Sequence, residues 1–381
     1  MNSKRIRRIV LMARCIVKAF ISGPANHTPV HISKIIVVPT GKLGDVVCCT
    51  PVLNAIRTYL PHARIIVAGN SELHRPLLSD SGLVDEYLDL KEKGIVERIR
   101  EYCIEAALVT GPSFEPTALL YLAGVSLVIA PAVMGGFSPS ETKPYKILQR
   151  FIKTFPYRID EYAPRERLRA LKPLGIISTD TQKHLGFSAN ADKKVGQFLI
   201  DNSIDKKKDF MVGISPTTGN KIKEWPEERF AEVADYLSEK YKAKIFIVGG
   251  PGDKDQVERT MSHLRHGTET LEITDFNIDE LKALIAKLHL FIAADTGSIY
   301  IAEAFNVPTV DIVGPVDERV QPPRGLIHRN VVPPERVKAE LFILNARSYN
   351  REEALRQVLS ITVPAVLKEV DFLIRDFRHD K

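Results

Sequence analysis

The sequence predicts an α/β protein built from two doubly wound parallel-sheet domains, and three observations carry that prediction. Short apolar runs alternate with longer amphipathic segments, the βαβ rhythm of a parallel sheet covered on both faces. The rhythm runs through the chain twice, with a polar, lysine-rich stretch near 200–209 between the two series. At 381 residues the chain also exceeds the length at which one core usually divides, so two domains of about 150–200 residues are expected.

In the first series Lys34-Ile-Ile-Val-Val-Pro39 is a continuous apolar run, the mark of a strand buried on both sides. A glycine-bearing loop, Thr40-Gly-Lys-Leu-Gly-Asp45, leads into a helical stretch with Pro51 early and Leu53, Ile56 and Leu60 on one face. Arg64–Ala68 reads as the second strand. Leu83–Leu90, Ala106–Val109 and Val125–Ala130 are candidate strands or short crossovers. Residues 131–165 are rich in Gly, Pro, Ser and Lys and are expected to form an insertion or a surface loop. The second series places strands at Phe210–Ser215, Lys244–Val248, His289–Ala293 and Thr309–Val313, with helices at 226–241, 279–287 and 297–305. The expected bounds are an N-terminal extension at 1–33, domains at 34–200 and 201–350, and a C-terminal helix within 351–381.

Hydrophobic residues make up 44% and charged residues 26%, a balance that excludes widespread disorder. The net charge of +6 and a pI near 9.0 favour anionic partners: sugar nucleotides, phospholipid surfaces or nucleic acid. Nucleic acid is set aside, since neither an aromatic-basic strand motif nor a reading helix is present. The four scattered cysteines lack histidine partners at metal-ligand spacing, so reduced thiols in a cytoplasmic protein are expected, with no metal site. Nothing approaches the roughly 20 apolar residues of a membrane span. Residues 1–22 combine six Lys and Arg with no acid around an apolar stripe. Two readings follow: a helix lying on an anionic cytoplasmic leaflet, or a helix packed on the first domain. Arg14 and Lys18 interrupt any signal-peptide core.

Three strand ends carry the chemistry. Gly41, Lys42 and Gly44 let the backbone approach a ligand, and Asp45 is placed at the carboxyl end of the first strand, either as a reacting carboxylate or as a helix cap. In the loop Thr217-Thr-Gly-Asn-Lys-Ile-Lys-Glu-Trp-Pro226, two hydroxyls and two lysines suit a diphosphate, although Lys221 and Lys223 also fit as solvated loop charge. Trp225 reads as packing and Pro226 as a helix start. Phe291-Ile-Ala-Ala-Asp-Thr-Gly-Ser298 ends a strand where a helix begins, so Thr296, Gly297 and Ser298 offer N–H groups to an anion and Asp295 is a ligand contact or an N-cap. Gly249-Gly-Pro-Gly-Asp253 is a further glycine-rich strand end.

Taken in order, Leu43-Gly-Asp45, Thr50-Pro-Val-Leu53, Lys223-Glu-Trp-Pro226, Gly249-Gly-Pro-Gly252, Asp295-Thr-Gly297 and Gly314-Pro315 resemble the motifs of glycosyltransferase family 9, the lipopolysaccharide heptosyltransferases. The resemblance runs from about residue 34 to about residue 325. It implies the GT-B fold, two Rossmann-like domains facing across a cleft, with a C-terminal helix at 351–381 returning to the first domain. It further implies Asp45 as general base on the acceptor hydroxyl and Lys223 on the donor phosphates, assisted by Thr217 and Thr218. Thr296, Gly297 and Ser298 would hold the diphosphate, Asp295 the donor sugar, and Asp253 the ribose.

Inverting, metal-independent transfer from a nucleotide sugar, ADP-linked, to a glycolipid or polysaccharide acceptor is the implied reaction, with no cofactor. Three departures from the family's pattern stand out: Tyr300 replaces a histidine, Thr217-Thr218 replaces Gly-Ala, and Asp253 stands where Glu is usual. A non-catalytic nucleotide-sugar-binding or scaffolding protein and a sugar-nucleotide epimerase are the alternatives.

Overall fold

The computed structural model describes residues 3–342, 344 and 349–377. Residues 1 and 2 of the expected extension and 378–381 of the expected C-terminal helix lie outside the described residues, as do 343 and 345–348. The chain divides into two compact units, one of residues 1–184 with 343–347, the other of 185–342 with 348–381.

The first unit holds β1 (Lys34–Val38), β2 (Arg64–Gly69), β3 (Glu86–Asp89), β4 (Ala106–Val109), β5 (Leu127–Met134) and β6 (Lys153–Arg158). All are parallel, in the order β3-β2-β1-β4-β5-β6. In β1 the residues from Ile35 to Val38 are buried, as a central strand covered on both faces requires. The second unit holds β7 (Met211–Ser215), β8 (Lys244–Val248), β9 (Thr270–Ile273), β10 (Leu290–Ala294), β11 (Thr309–Ile312) and β12 (His328–Val331). Its order, β12-β11-β10-β7-β8-β9, is the same winding repeated. In each sheet the winding reverses beside the first strand, between β1 and β4 and between β7 and β10. Doubly wound sheets bind their ligands at that crevice.

Three expectations are corrected. Residues 131–165 are not an insertion. They contain the end of β5, the helix Lys143–Leu148 and the edge strand β6. Phe155 and Tyr157 are buried while Thr154, Pro156 and Arg158 are exposed, a two-residue alternation. Pro156 is tolerated because β6 has a partner on one side only.

The boundary lies at 184/185 rather than 200. The helix Ala189–Asp201 belongs to the second unit because it packs on the helix Ile278–Ile285. Lys194 reaches Glu280 at 2.8 Å, Ser188 reaches Asp279 at 2.7 Å, and Phe198 meets Phe276 edge-on. The lysine-rich stretch at 206–208 is a turn ahead of β7.

The expected C-terminal helix is two helices, Arg351–Ser360 and Val363–Phe377, and both pack within the second unit. Val366, Val370, Leu373 and Ile374 recur at helical spacing and enter the core beneath β11 and β12. Asp371 accepts hydrogen bonds from Tyr236, Lys240 and Tyr241, and Arg329 pairs with Glu369 at 2.6 Å. The Trp225 indole donates to the carbonyl of Ile361 at 2.9 Å and meets Phe230 edge-on, the packing role expected of it. Pro226 is the N-cap of the helix Glu227–Tyr241, one residue before its start.

At the other end, the helix Ser3–Ser22 packs on the first unit, burying Leu11, Met12 and Cys15 with the helix Phe114–Ala123. Lys18 lies over the Tyr121 ring.

Candidate active site

After β1 the backbone turns through Gly41 into the helix Leu43–Val47. Gly41 has φ +107°, and a Cβ there would stand 2.2 Å from the Asp45 carboxylate, so only glycine lets that side chain fold back over the loop. Asp45 does cap the helix: its Oδ2 accepts the Lys42 N–H at 2.9 Å. Its Oδ1 also accepts from Arg167 at 3.0 Å, a charge-assisted bond that a simple cap does not need. Arg167 is 2% exposed and the Asp45 side chain 19%, so the cation lies beneath the carboxylate and the carboxylate reaches solvent. Gly44 is buried and Lys42 exposed.

Glu166 anchors the helix that carries Arg167. Buried on the helix Ala163–Leu168, it accepts the Arg158 N–H of β6 at 2.8 Å and pairs with Arg169 at 2.7 Å. Cys49 lies beside this pair, and burial pushes its thiol pKa up, so it stays a neutral thiol. A cleft of about 640 Å³ opens along the carboxyl ends of β1 and β2. Thr40, Gly41, Asn70, Ser113 and Lys91 line it, together with Arg7 and Arg8 from the helix Ser3–Ser22.

In the second unit the loop after β7 and the loop after β10 meet beside the crevice. Lys223, in the short turn Lys221–Lys223, donates to the Asp295 Oδ2 at 2.7 Å and also to the Asp295 carbonyl. The Tyr300 hydroxyl donates to Asp295 Oδ1 at 2.5 Å, so the two carboxylate oxygens of Asp295 are held from different sides. Tyr300 thus contacts the site's carboxylate, Asp295. Thr296 is the N-cap of the helix Gly297–Ala304, whose first turn presents Gly297 and Ser298. The Ser298 hydroxyl is buried and has no hydrogen-bond partner among the described residues. Thr218 bonds within its own loop, to the Asn220 carbonyl at 2.7 Å. Asp253 ties two loops together, accepting from Gly250 N–H at 2.9 Å and from the Thr217 hydroxyl at 3.3 Å.

Two residues escaped the sequence reading. Arg167 carries no local signal, since its partner is 122 positions away in the chain. Asp311 did leave one: a lone acid in the apolar run Thr309-Val-Asp-Ile-Val313. It lies on β11 beside β10, fully buried, and neither carboxyl oxygen has a hydrogen-bond partner among the described residues. Burial, joined by the nearby Asp295 and opposed by Lys223, raises its pKa well above the ordinary carboxylate value. Asp311 is therefore a neutral acid beneath a charged cluster.

Residues 165–339 match the family model described as glycosyltransferase family 9 (heptosyltransferase). The lipopolysaccharide heptosyltransferase 3 of Escherichia coli K12 is 22% identical over 283 residues, which cover 72% of this chain and 80% of that protein. Among solved structures, a family 9 glycosyl transferase from Veillonella parvula superposes with a TM-score of 0.73 at 20% identity, over 92% of this chain and all of that one. The E. coli ADP-heptose lps heptosyltransferase II gives 0.71 at 18% identity, over 91% and 99%. The structural likenesses establish the fold, which is GT-B. The family model spans both the Arg167 segment and the Lys223–Asp295 cluster, so this part of the chain is similar to glycosyltransferase family 9.

Proposed function

We propose that this chain is an inverting, metal-independent glycosyltransferase. It moves a heptose-like sugar from a nucleoside-diphosphate donor to a lipopolysaccharide core or related envelope glycan. The observation that carries the reading is the Lys223–Asp295–Tyr300 cluster at the start of the helix Gly297–Ala304, beside the sheet's switch point. A fixed cation and the N–H groups of a helix N-terminus suit a departing diphosphate, where charge develops as the sugar–phosphate bond breaks. An ADP-linked donor is the natural choice, since the similar E. coli heptosyltransferase II carries ADP-heptose in its name.

In this reading Lys223 turns from Asp295 to the phosphates when donor binds, and the Ser298 hydroxyl finds in a phosphate oxygen the partner it lacks among the described residues. Thr217 and Thr218 border the same loop, and Asp253 sets the loop against which the nucleoside rests. In the first unit Asp45 takes the proton of the acceptor hydroxyl as the new C–O bond forms, with Arg167 holding the carboxylate's orientation. The Lys91, Arg7 and Arg8 cleft accepts an anionic, hydroxyl-rich acceptor. A cytoplasmic location belongs to the same proposal.

The test is a transfer assay with ADP-heptose and a truncated core acceptor, without added metal. Wild-type protein should form product, and Asp45→Asn should lower kcat by about 10²–10⁴-fold, the share of a general base. Undiminished transfer by that variant would remove Asp45 from the mechanism.

A further inference from the structure

The helix Ser3–Ser22 has two apolar sides, and only one of them is used by the fold. Leu11, Met12 and Cys15 are buried in the first unit. Ile6, Ile9, Val10, Val17, Phe20 and Ile21 recur at three- and four-residue spacing on the opposite side and face solvent, Phe20 at 89% exposure and Ile21 at 79%. Such a continuous apolar stripe on an exposed helix marks an interaction surface.

The charges name the occupant. The helix sequence contains no acidic residue, and Arg14 and Lys18 border the stripe on one edge. Cations bordering an apolar face complement an anionic lipid surface, with aliphatic side chains entering the acyl boundary and guanidinium groups meeting the headgroups. A helix held to the body by one face keeps the other available without refolding.

We propose that the outward face of Ser3–Ser22 docks the protein on an anionic bilayer. The docking also fixes which way the first unit's cleft opens. Arg7 and Arg8 belong to this same helix and line the cleft, and Arg7 is positioned by Glu115 at 2.8 Å. A docked helix therefore sets the cleft at the lipid surface, where the anionic head of a membrane-anchored acceptor can enter. This last step rests on the transfer reading above; the docking itself does not.

The experiment is co-sedimentation of the full chain with phosphatidylcholine vesicles, with and without phosphatidylglycerol. It compares wild type with the Val10→Glu, Val17→Glu, Phe20→Glu triple variant, whose changes fall on exposed positions. Wild type should bind the anionic vesicles, weaken as salt is raised, and bind at least about ten-fold better than the variant. The variant should keep wild-type kcat on a water-soluble acceptor and show a raised KM for a vesicle-embedded one. Equal vesicle binding by both proteins overturns the docking. So does a wild-type dimer, seen by light scattering without lipid, that the variant loses, because the stripe then belongs to a second copy. Vesicle binding by a protein that transfers no sugar to any acceptor would leave the docking standing and overturn the function proposed for the cleft.

Discussion

At the scale of single residues, the second-unit cluster is a set of charges that constrain one another. Tyr300 donates its hydroxyl hydrogen to Asp295. Tyr300→Phe should cost about 1.5–3 kcal/mol of stability, the range for a hydrogen bond to a charged group, and weaken donor binding because Asp295 loses one of its two anchors. Denaturant melts and nucleotide titration of the same variant check both. Asp311 makes a separate prediction of opposite character. Its raised pKa means that the folded state holds a proton that the unfolded chain releases above about pH 4. The stability it lends is complete below that pH and drains away as pH climbs toward the raised value. Asp311→Asn keeps the shape without the proton, so its stability should decline less than wild type's as pH rises above about 4. Identical slopes for the two proteins would contradict a neutral Asp311.

At the scale of elements, His74 links the helix Ser71–Leu78 to β2. A Cβ on Gly69 (φ +154°) would stand 2.5 Å from the imidazole, so the ring occupies the space that glycine leaves. Burial pushes its pKa down to about 4, with Asp89 opposing. The folded state therefore resists protonating a ring that the unfolded chain protonates near pH 6.5. Stability should fall as pH drops from about 6.5 toward 4, by on the order of 3 kcal/mol, and His74→Gln should flatten that limb of the pH curve.

Elements also show what the sequence could reveal. The central strands β1, β7 and β10 were legible because burial on both faces leaves an unbroken apolar run. The edge strands β6, β9 and β12 were not, since an edge tolerates Pro156, Glu272 and Asn330 and so reads as loop. The site divided in the same way. Asp45, Lys223 and Asp295 stand beside glycine turns at strand ends and announce themselves locally, whereas Arg167 reaches Asp45 only through the folding of β6 and its following helix.

At the scale of the molecule, the same winding occurs twice, and each copy places its charged cluster beside the reversal of strand order. The C-terminal helices were expected on the first unit, yet their apolar side fits the core over β11 and β12. Removing residues 361–381 should therefore destabilise the second unit, exposing Trp225 and removing the Ile361 carbonyl that its indole bonds. A tryptophan fluorescence melt, reporting on the chain's single Trp, should shift by several degrees or lose its cooperative transition.

Whether the Lys223–Asp295 cluster receives a nucleoside diphosphate is read by calorimetric titration. Wild-type protein and Lys223→Met would each be titrated, without metal, with ADP, UDP, GDP and CDP. Wild type should bind ADP selectively, with affinity weakened at least about ten-fold when the cation is lost, as for a charge-assisted contact to phosphate. Binding of none of the four by the wild-type protein, or an affinity unchanged by Lys223→Met, would contradict a diphosphate site at that cluster.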